Sequence, residues 1–219
     1  MALAQRVAGP TARLTQPGEW GPWVDGGGWL RIADTPVDWI YRDVDRVHNS
    51  WNAAQAGRYT FHAQVGHPLG VPDFAYAGEL ALGMVLADPS GELTRLQRAT
   101  RLYPHRLSEA LVVGLWEAGF ALEIAHKAVD RADTTYVAGC LFRAVGLCAH
   151  ALHGRAGRWL INEKGAVAAA GRLPQAPDHF SERAHGVLAH LGRQAPDLEQ
   201  ALTLAADLLA ATVTACRTD

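Results

Sequence analysis

Apolar residues recur every three or four positions from residue 73 to the C-terminus, which is the spacing of helices that bury one face. The clearest stretch covers 106–131, where Leu107, Leu111 and Leu115 begin an apolar stripe. Glycine and proline divide the rest into segments. The pattern predicts helices over 74–86, 92–103, 106–131, 133–154 and 162–171, one from Asp178 or Ser181 to 191, and one from Pro196 onward. We expect about five or six of these helices to form a C-terminal bundle.

The N-terminal part has shorter patterns. Residues 2–8 suit a brief helix, and apolar alternation over 29–32 and 37–41 on either side of a turn predicts a β-hairpin. Asp43 stands directly before a helical pattern over 44–56, and its side chain is the expected N-cap.

These elements predict an α+β fold, mainly α, in which a helical bundle is attached to a small α/β piece with a short β-hairpin. We place the domain boundary between 1–58 and 59–219. The segment 59–72, which carries His62 and His67, has no clear period and is expected to be irregular.

Composition limits the function classes. The chain has 219 residues, 49% of them hydrophobic, and a net charge of −2, which argues against a dedicated nucleic-acid binder. No apolar run approaches the ~18–20 residues of a membrane span, and no signal peptide is visible, so we expect no membrane partner. The three cysteines, Cys140, Cys148 and Cys216, form no disulfide framework, and we expect a cytoplasmic protein.

Asp38 is the most informative polar residue, because it interrupts an otherwise apolar strand. Alternation places Val37 and Trp39 on one face of the strand and Asp38 on the other. A carboxylate on a partly buried strand needs a partner, and a metal ion is a good one. We interpret Asp38 as a metal ligand or a catalytic base; the alternative is an exposed residue on an edge strand.

Three segments resemble the polymerase-β-like nucleotidyltransferases, in particular the two-domain type that includes aminoglycoside adenylyltransferases. They are TPVDWIYRD at 35–43, AYAGELALGMVLADPSGEL at 75–93 and RWLINEKGAVAAAGRLP at 158–174. The resemblance implies Mg-dependent transfer of a nucleoside monophosphate from ATP or another NTP to a hydroxyl on an acceptor. It also implies that Asp38 is the third metal-binding carboxylate of the catalytic site and that Lys164, with Asn162, contacts the nucleotide phosphates.

The chain departs from that family at the metal site. Such enzymes carry a Gly-Ser turn and an Asp-x-Asp pair before the third carboxylate, and this sequence has neither there. Asp43 and Asp45 have the right spacing but open a helix. Since Mg²⁺ is held by several carboxylates together with substrate phosphates, one aspartate does not suffice. We expect an N-terminally truncated, catalytically incomplete family member, which binds Mg only if the missing segment is restored.

Other interpretations remain open. Asn162 is equally suited to cap a short helix that leaves Lys164 solvated, and Glu79 and Glu117 face either a cleft or solvent. Two histidines without a third ligand, as at His62 and His67, are a poor zinc signature. The alternative functions are a non-catalytic helical binding module and an inactive fragment.

The N-terminal tryptophans bear on assembly. Trp20, Trp23, Trp29 and Trp39 fall close together, and an unpaired strand edge beside them is a template for pairing with another chain. We therefore expect a homodimer formed through residues 20–41.

Overall fold

The computed structural model describes residues 2–217. The chain opens with helix α1 (Ala2–Ala8) and continues into the antiparallel hairpin of β1 (Gly27–Ile32) and β2 (Thr35–Ile40). Ala33 and Asp34 make the two-residue turn, and both have positive φ, 45° and 66°. The predicted hairpin is confirmed, with strands that start slightly earlier.

Helix α2 (Val44–Gln55) begins as the sequence predicted. One carboxylate oxygen of Asp43 accepts hydrogen bonds from the N–H groups of Asp45, at 2.8 Å, and Arg46, at 3.2 Å. These bonds satisfy amides that have no partner within the helix.

The prediction of an irregular segment over 59–72 is wrong. This segment forms a second antiparallel hairpin, β3 (Phe61–Gln64) and β4 (His67–Pro72), with an irregular register between His62 and Gln64. Prolines and glycines at 66–72 hide the strand alternation in the sequence, while Gly66 at φ 82° supplies the turn.

Two short helices follow, and they pack with α2. Helix α3 (Ala75–Leu82) ends at Gly83, earlier than predicted, and α4 (Glu92–Thr100) begins after a loop. The residues that this helical layer buries together are Val47, Trp51, Tyr76, Ala77 and Leu96. Because α2 shares its core with α3 and α4, the first predicted domain packs closely on the second.

The long helix predicted over 106–131 is interrupted. Helix α5 (His105–Val113) and helix α6 (Leu115–His126) are separated at Gly114. A Cβ atom at Gly114 would lie 2.3 Å from the hydroxyl oxygen of Tyr59, so the glycine lets Tyr59 approach the backbone. Apolar periodicity continues through the break, which is why the sequence predicts one helix.

The remaining helices complete the bundle: α7 (Thr134–Arg155), α8 (Ala166–Ala170), α9 (Phe180–Ala189) and α10 (Ala195–Arg217). The largest core lies among α6 to α10, with α7 at its centre. The α+β, mainly α, fold with a C-terminal helical bundle is confirmed.

Helix α7 is the one helix of the described chain that is long and apolar enough to cross a membrane, although no uninterrupted apolar run in the sequence predicts a span. Of its apolar window, 56% is buried inside the protein, as expected for the central helix of a bundle.

The N-terminal elements have a small core of their own. Ala4, Ala12 and Leu30 are buried together, with Val37 and Trp39 packed against them. The hairpin thus presents one face to α1 and the other to solvent. The domain boundary at residue 58 stays a prediction.

Candidate functional site

Asp38 lies on the solvent face of the first hairpin. It is exposed and stands opposite Trp29 in the register, and Trp29 is 76% exposed. The expectation that this strand buries the carboxylate is therefore wrong, because the buried face of β2 is the one with Val37 and Trp39. The assignment of Asp38 as a catalytic metal ligand stays a prediction.

Arg42, directly after β2, fastens the hairpin to the helices. Its guanidinium makes two hydrogen bonds to the carboxylate of Glu79 on α3, at 2.5 and 2.7 Å, and a third to the carbonyl of Val24, at 3.1 Å. Burial lowers the pKa of Arg42, but the hydrogen bond and charge of Glu79 outweigh this and leave it raised. The guanidinium therefore stays charged, and its hydrogen bonds to Glu79 hold the end of β2 on α3.

Arg46 on α2 forms a second attachment. Its guanidinium lies over the rings of Trp23, at 5.2 Å, and Tyr76, at 5.6 Å, and donates to the Pro22 carbonyl. The Tyr76 hydroxyl donates to the Trp23 carbonyl at 2.9 Å. These contacts bind the loop before β1 to the helical layer.

His62 and Asp73 join the second hairpin to the same loop. The imidazole of His62 stacks on Trp23 at 3.7 Å, and its Nε2 lies 3.6 Å from Asp73 Oδ2. The other oxygen of Asp73 is buried without a hydrogen-bond partner among the described residues. Burial raises the pKa of Asp73, and the Thr60 amide and His62 partly oppose this.

A cleft of about 600 Å³ lies between this loop, the second hairpin and α7. Its volume is in the range of small-molecule sites. We call this volume the cleft, and its lining includes Gly21, Pro22, Phe61, Gln64, His67 and Arg143. They come from three separate parts of the chain.

The cleft is connected to the face that carries Asp38. Gln64 donates to the Trp20 carbonyl at 2.5 Å and accepts from the Trp23 amide at 3.0 Å. The rings of Trp20 and Trp29 stack at 4.6 Å. Since opposed residues of an antiparallel pair share a face, Trp29 and Asp38 continue the surface that starts at Gln64.

Two pairs of polar side chains flank the cleft. Arg143 on α7 bonds to Glu117 on α6, and its guanidinium lies 5.9 Å from the centre of the Phe61 ring. His67 Nδ1 lies 3.2 Å from Glu163, whose other oxygen is buried without a partner among the described residues. Arg143 is not predicted as a site residue, because nothing in its local sequence pattern distinguishes it from a solvated helix residue.

The predicted phosphate-contacting residues, Asn162 and Lys164, are not among the residues that line this cleft. The Asn162 side chain accepts from the Lys164 amide at 2.8 Å, and Lys164 is exposed. Lys164 directly follows Glu163, the partner of His67 at the cleft. Helix α8 starts only at Ala166, so Asn162 stabilises the turn before the helix. Contact of these residues with a nucleotide stays a prediction.

The described residues do not by themselves fit a pair of Mg²⁺ ions. Across residues 2–217, no group of three or more His, Cys, Asp or Glu side chains is placed to hold a metal ion. Asp38 is exposed, while Glu79 and Glu117 each form a salt bridge with an arginine.

Comparison of the chain with protein-family models, with curated proteins and with solved structures gives no significant match.

Proposed function

We propose that this chain is the hairpin and helical part of a nucleotidyltransferase-type protein. In this proposal the cleft takes a nucleotide and a hydroxyl-bearing acceptor, and Asp38 supplies one carboxylate of the metal site. The observation that carries the proposal is the continuous surface from Asp38 through Trp29 and Trp20 to Gln64 at the cleft. It puts the carboxylate on the same side of the molecule as the binding volume.

The side chains around the cleft suit a nucleotide. Arg143 lines the cleft and has guanidinium donors beyond those that engage Glu117, while the exposed Lys164 follows Glu163 in the chain; both side chains are good partners for phosphate. Phe61 offers an aromatic surface for a base. His67, held by Glu163, adds a ring nitrogen at the edge of the volume.

The chain alone is proposed to bind without turnover. Transfer of a nucleotidyl group requires metal ions at the α-phosphate, and the described carboxylates do not assemble such a site. Asp38 therefore needs further carboxylates beside it, and the exposed face of the hairpin leaves room for the segment that would carry them.

A non-catalytic binding module is the second candidate function. The committed ion pairs of Glu79 and Glu117 favour it, because neither carboxylate is free to act as a base or a ligand. In this case the cleft binds its ligand with no chemistry, and Asp38 has no role in it.

Calorimetry with ATP tests the proposed cleft. We expect a dissociation constant above about 10 µM that is unchanged by Mg²⁺, and weaker binding in Arg143→Ala. Arg131→Ala, which removes an exposed arginine outside the cleft, is the matched control. Magnesium-dependent binding tighter than this would contradict the claim that the metal site is incomplete, and an unchanged Arg143→Ala variant would contradict the cleft.

Translation of the genomic DNA upstream of the Met1 codon, in the same frame, separates the two candidates. A Gly-Ser turn followed closely by Asp-x-Asp is the outcome expected for a nucleotidyltransferase. A stop codon immediately upstream favours the binding module.

We extend the proposal to a cytoplasmic location. Cys140, Cys148 and Cys216 are free thiols, the first half-buried and the other two buried, and free thiols are typical of a reducing compartment.

A further inference from the structure

A second pocket, of about 590 Å³, lies where α7 ends and α8 meets the following turn. Its polar and aromatic lining consists of His153, Arg158, Trp159, Arg172 and Gln175. Neither Asn162 nor Lys164 lines it, and it shares no lining residue with the cleft. The pocket is thus a separate feature of the molecule.

The charge of this pocket is unusual for the chain. Among the described residues, two arginines line it and no acidic residue does, although the whole chain has 22 acidic and 20 basic residues. Among the described residues, the guanidinium groups of Arg158 and Arg172 make no ion pair and no side-chain hydrogen bond. By contrast, Arg42, Arg46 and Arg143 are all engaged by carboxylates.

The walls of the pocket are held in place. Trp159 Nε1 donates to the Thr100 carbonyl at 3.0 Å, and Gln175 Nε2 donates to the Leu152 carbonyl at 3.0 Å. The ring of His153 is buried and donates from Nδ1 to the Ala149 carbonyl at 2.9 Å. Because these wall side chains are already held by hydrogen bonds, a ligand would lose less binding free energy in ordering them. The guanidinium groups of Arg158 and Arg172 lie at the rim.

We propose that this pocket binds the polyphosphate group of a small ligand, through the guanidinium groups of Arg158 and Arg172. Guanidinium forks match phosphate oxygens in geometry and charge. Leu173 and Pro174 complete the lining with apolar surface beside Trp159, which suits the organic body of such a ligand. The inference does not rest on the proposed function, because it uses no residue of the cleft.

Calorimetry with pyrophosphate, without metal and at low ionic strength, tests the proposal on the full chain. We expect saturable binding that weakens as salt is added, and at least about tenfold weaker binding in Arg158→Ala and in Arg172→Ala. Arg131→Ala removes an equally exposed arginine elsewhere and should leave the affinity unchanged. Absence of saturable binding, or an equal loss in Arg131→Ala, overturns the proposal.

Two further arms identify the source of the polyphosphate and separate this pocket from the cleft. ATP that binds more tightly than pyrophosphate at this site supports a nucleotide-like ligand, whereas equal affinities support free polyphosphate. Arg143 lies in the cleft and not in this pocket, so Arg143→Ala should lower the pyrophosphate affinity less than Arg158→Ala or Arg172→Ala does. If Arg143→Ala abolishes pyrophosphate binding while Arg158→Ala and Arg172→Ala do not, the anion site is the cleft and the proposal fails.

Discussion

One histidine in the bundle is buried among aromatic rings and has a strongly lowered pKa. His150 on α7 is 2% exposed and packs against the rings of Phe61, at 5.0 Å, and Phe74, at 5.8 Å. Its Nδ1 has no hydrogen-bond partner among the described residues. Burial, with a smaller contribution from His153, lowers the pKa of His150 to about 3. The helix therefore buries a neutral imidazole.

This burial predicts acid sensitivity. Between its folded pKa of about 3 and its ordinary value of 6.5, His150 binds more protons in the unfolded chain. The stability that depends on neutral His150 is thus fully present above pH 6.5 and is lost as the pH drops towards 3. We expect the free energy of unfolding at pH 5 to lose about 2 kcal/mol relative to pH 7 from this residue alone. Urea denaturation at both pH values measures it.

The variant His150→Gln isolates that contribution. Glutamine does not titrate. The free energy of unfolding of the variant should therefore change between pH 7 and pH 5 by about 2 kcal/mol less than that of the native chain. His153 is also buried with a lowered pKa and should keep some acid sensitivity in the variant. Equal pH dependence in His150→Gln and the native chain would show that His150 does not carry it.

At the scale of elements, the break between α5 and α6 is set by one glycine. The pattern of Leu107, Leu111 and Leu115 predicts a single helix, because an isolated glycine rarely ends one. The structure shows that Gly114 is needed for the approach of Tyr59, which precedes β3. A contact between residues so distant in sequence has no local signature.

The glycine gives a prediction with a matched control. Gly114→Ala places a Cβ atom against the Tyr59 hydroxyl and should destabilise the protein by about 1–3 kcal/mol. Gly139→Ala in α7 meets no atom within 4 Å and should stabilise it by about 0.5–1 kcal/mol. Urea denaturation compares them, and Tyr59→Phe should partly rescue Gly114→Ala. A Gly114→Ala protein as stable as Gly139→Ala would refute this account.

The ion pair between Arg42 and Glu79 connects the first hairpin to α3. Both side chains are only partly exposed, 24% and 34%. Glu79→Gln removes the charge but keeps the shape, so we expect a loss of about 1–2 kcal/mol, reduced from that of a fully buried pair by solvent screening. Faster proteolysis within residues 20–41 should accompany it, because the hairpin loses its attachment.

The control for this pair is Glu109→Gln. Its partner His105 is 84% exposed and Glu109 is 61% exposed, so the loss should stay below about 0.5 kcal/mol. If Glu79→Gln and Glu109→Gln have the same free energy of unfolding and the same rate of proteolysis, the pair of Arg42 and Glu79 does not hold the hairpin.

At the scale of the whole molecule, the sequence predicts what depends on local pattern. The helical character of the chain after residue 73, the first hairpin and the Asp43 cap follow from period and capping chemistry, whereas the break at Gly114 does not. The candidate site depends instead on pairs of residues far apart in the chain. Arg143 and Glu117 are 26 residues apart, and His67 and Glu163 are 96 apart. Only the packing of the helices brings such residues together.

The exposed face of the first hairpin predicts the assembly of the molecule. β2 pairs only with β1 in the described chain, so its outer edge has backbone groups open to another strand. Trp29 and Ile40, 76% and 41% exposed, lie on this hairpin. Burying the exposed part of Trp29 is worth about 4 kcal/mol per protomer. A second copy of the chain offers the same edge and the same apolar face.

We therefore expect a homodimer in light scattering at micromolar concentration, formed through residues 20–41. Trp29→Lys removes apolar surface and places like charges opposite each other across the symmetric contact, so it should shift the protein to a monomer. Trp116→Lys is the control, since Trp116 is 67% exposed on α6, outside the hairpin. A native chain that is monodisperse and monomeric would contradict the prediction, and a dimer that only Trp116→Lys dissociates would move the interface to α6.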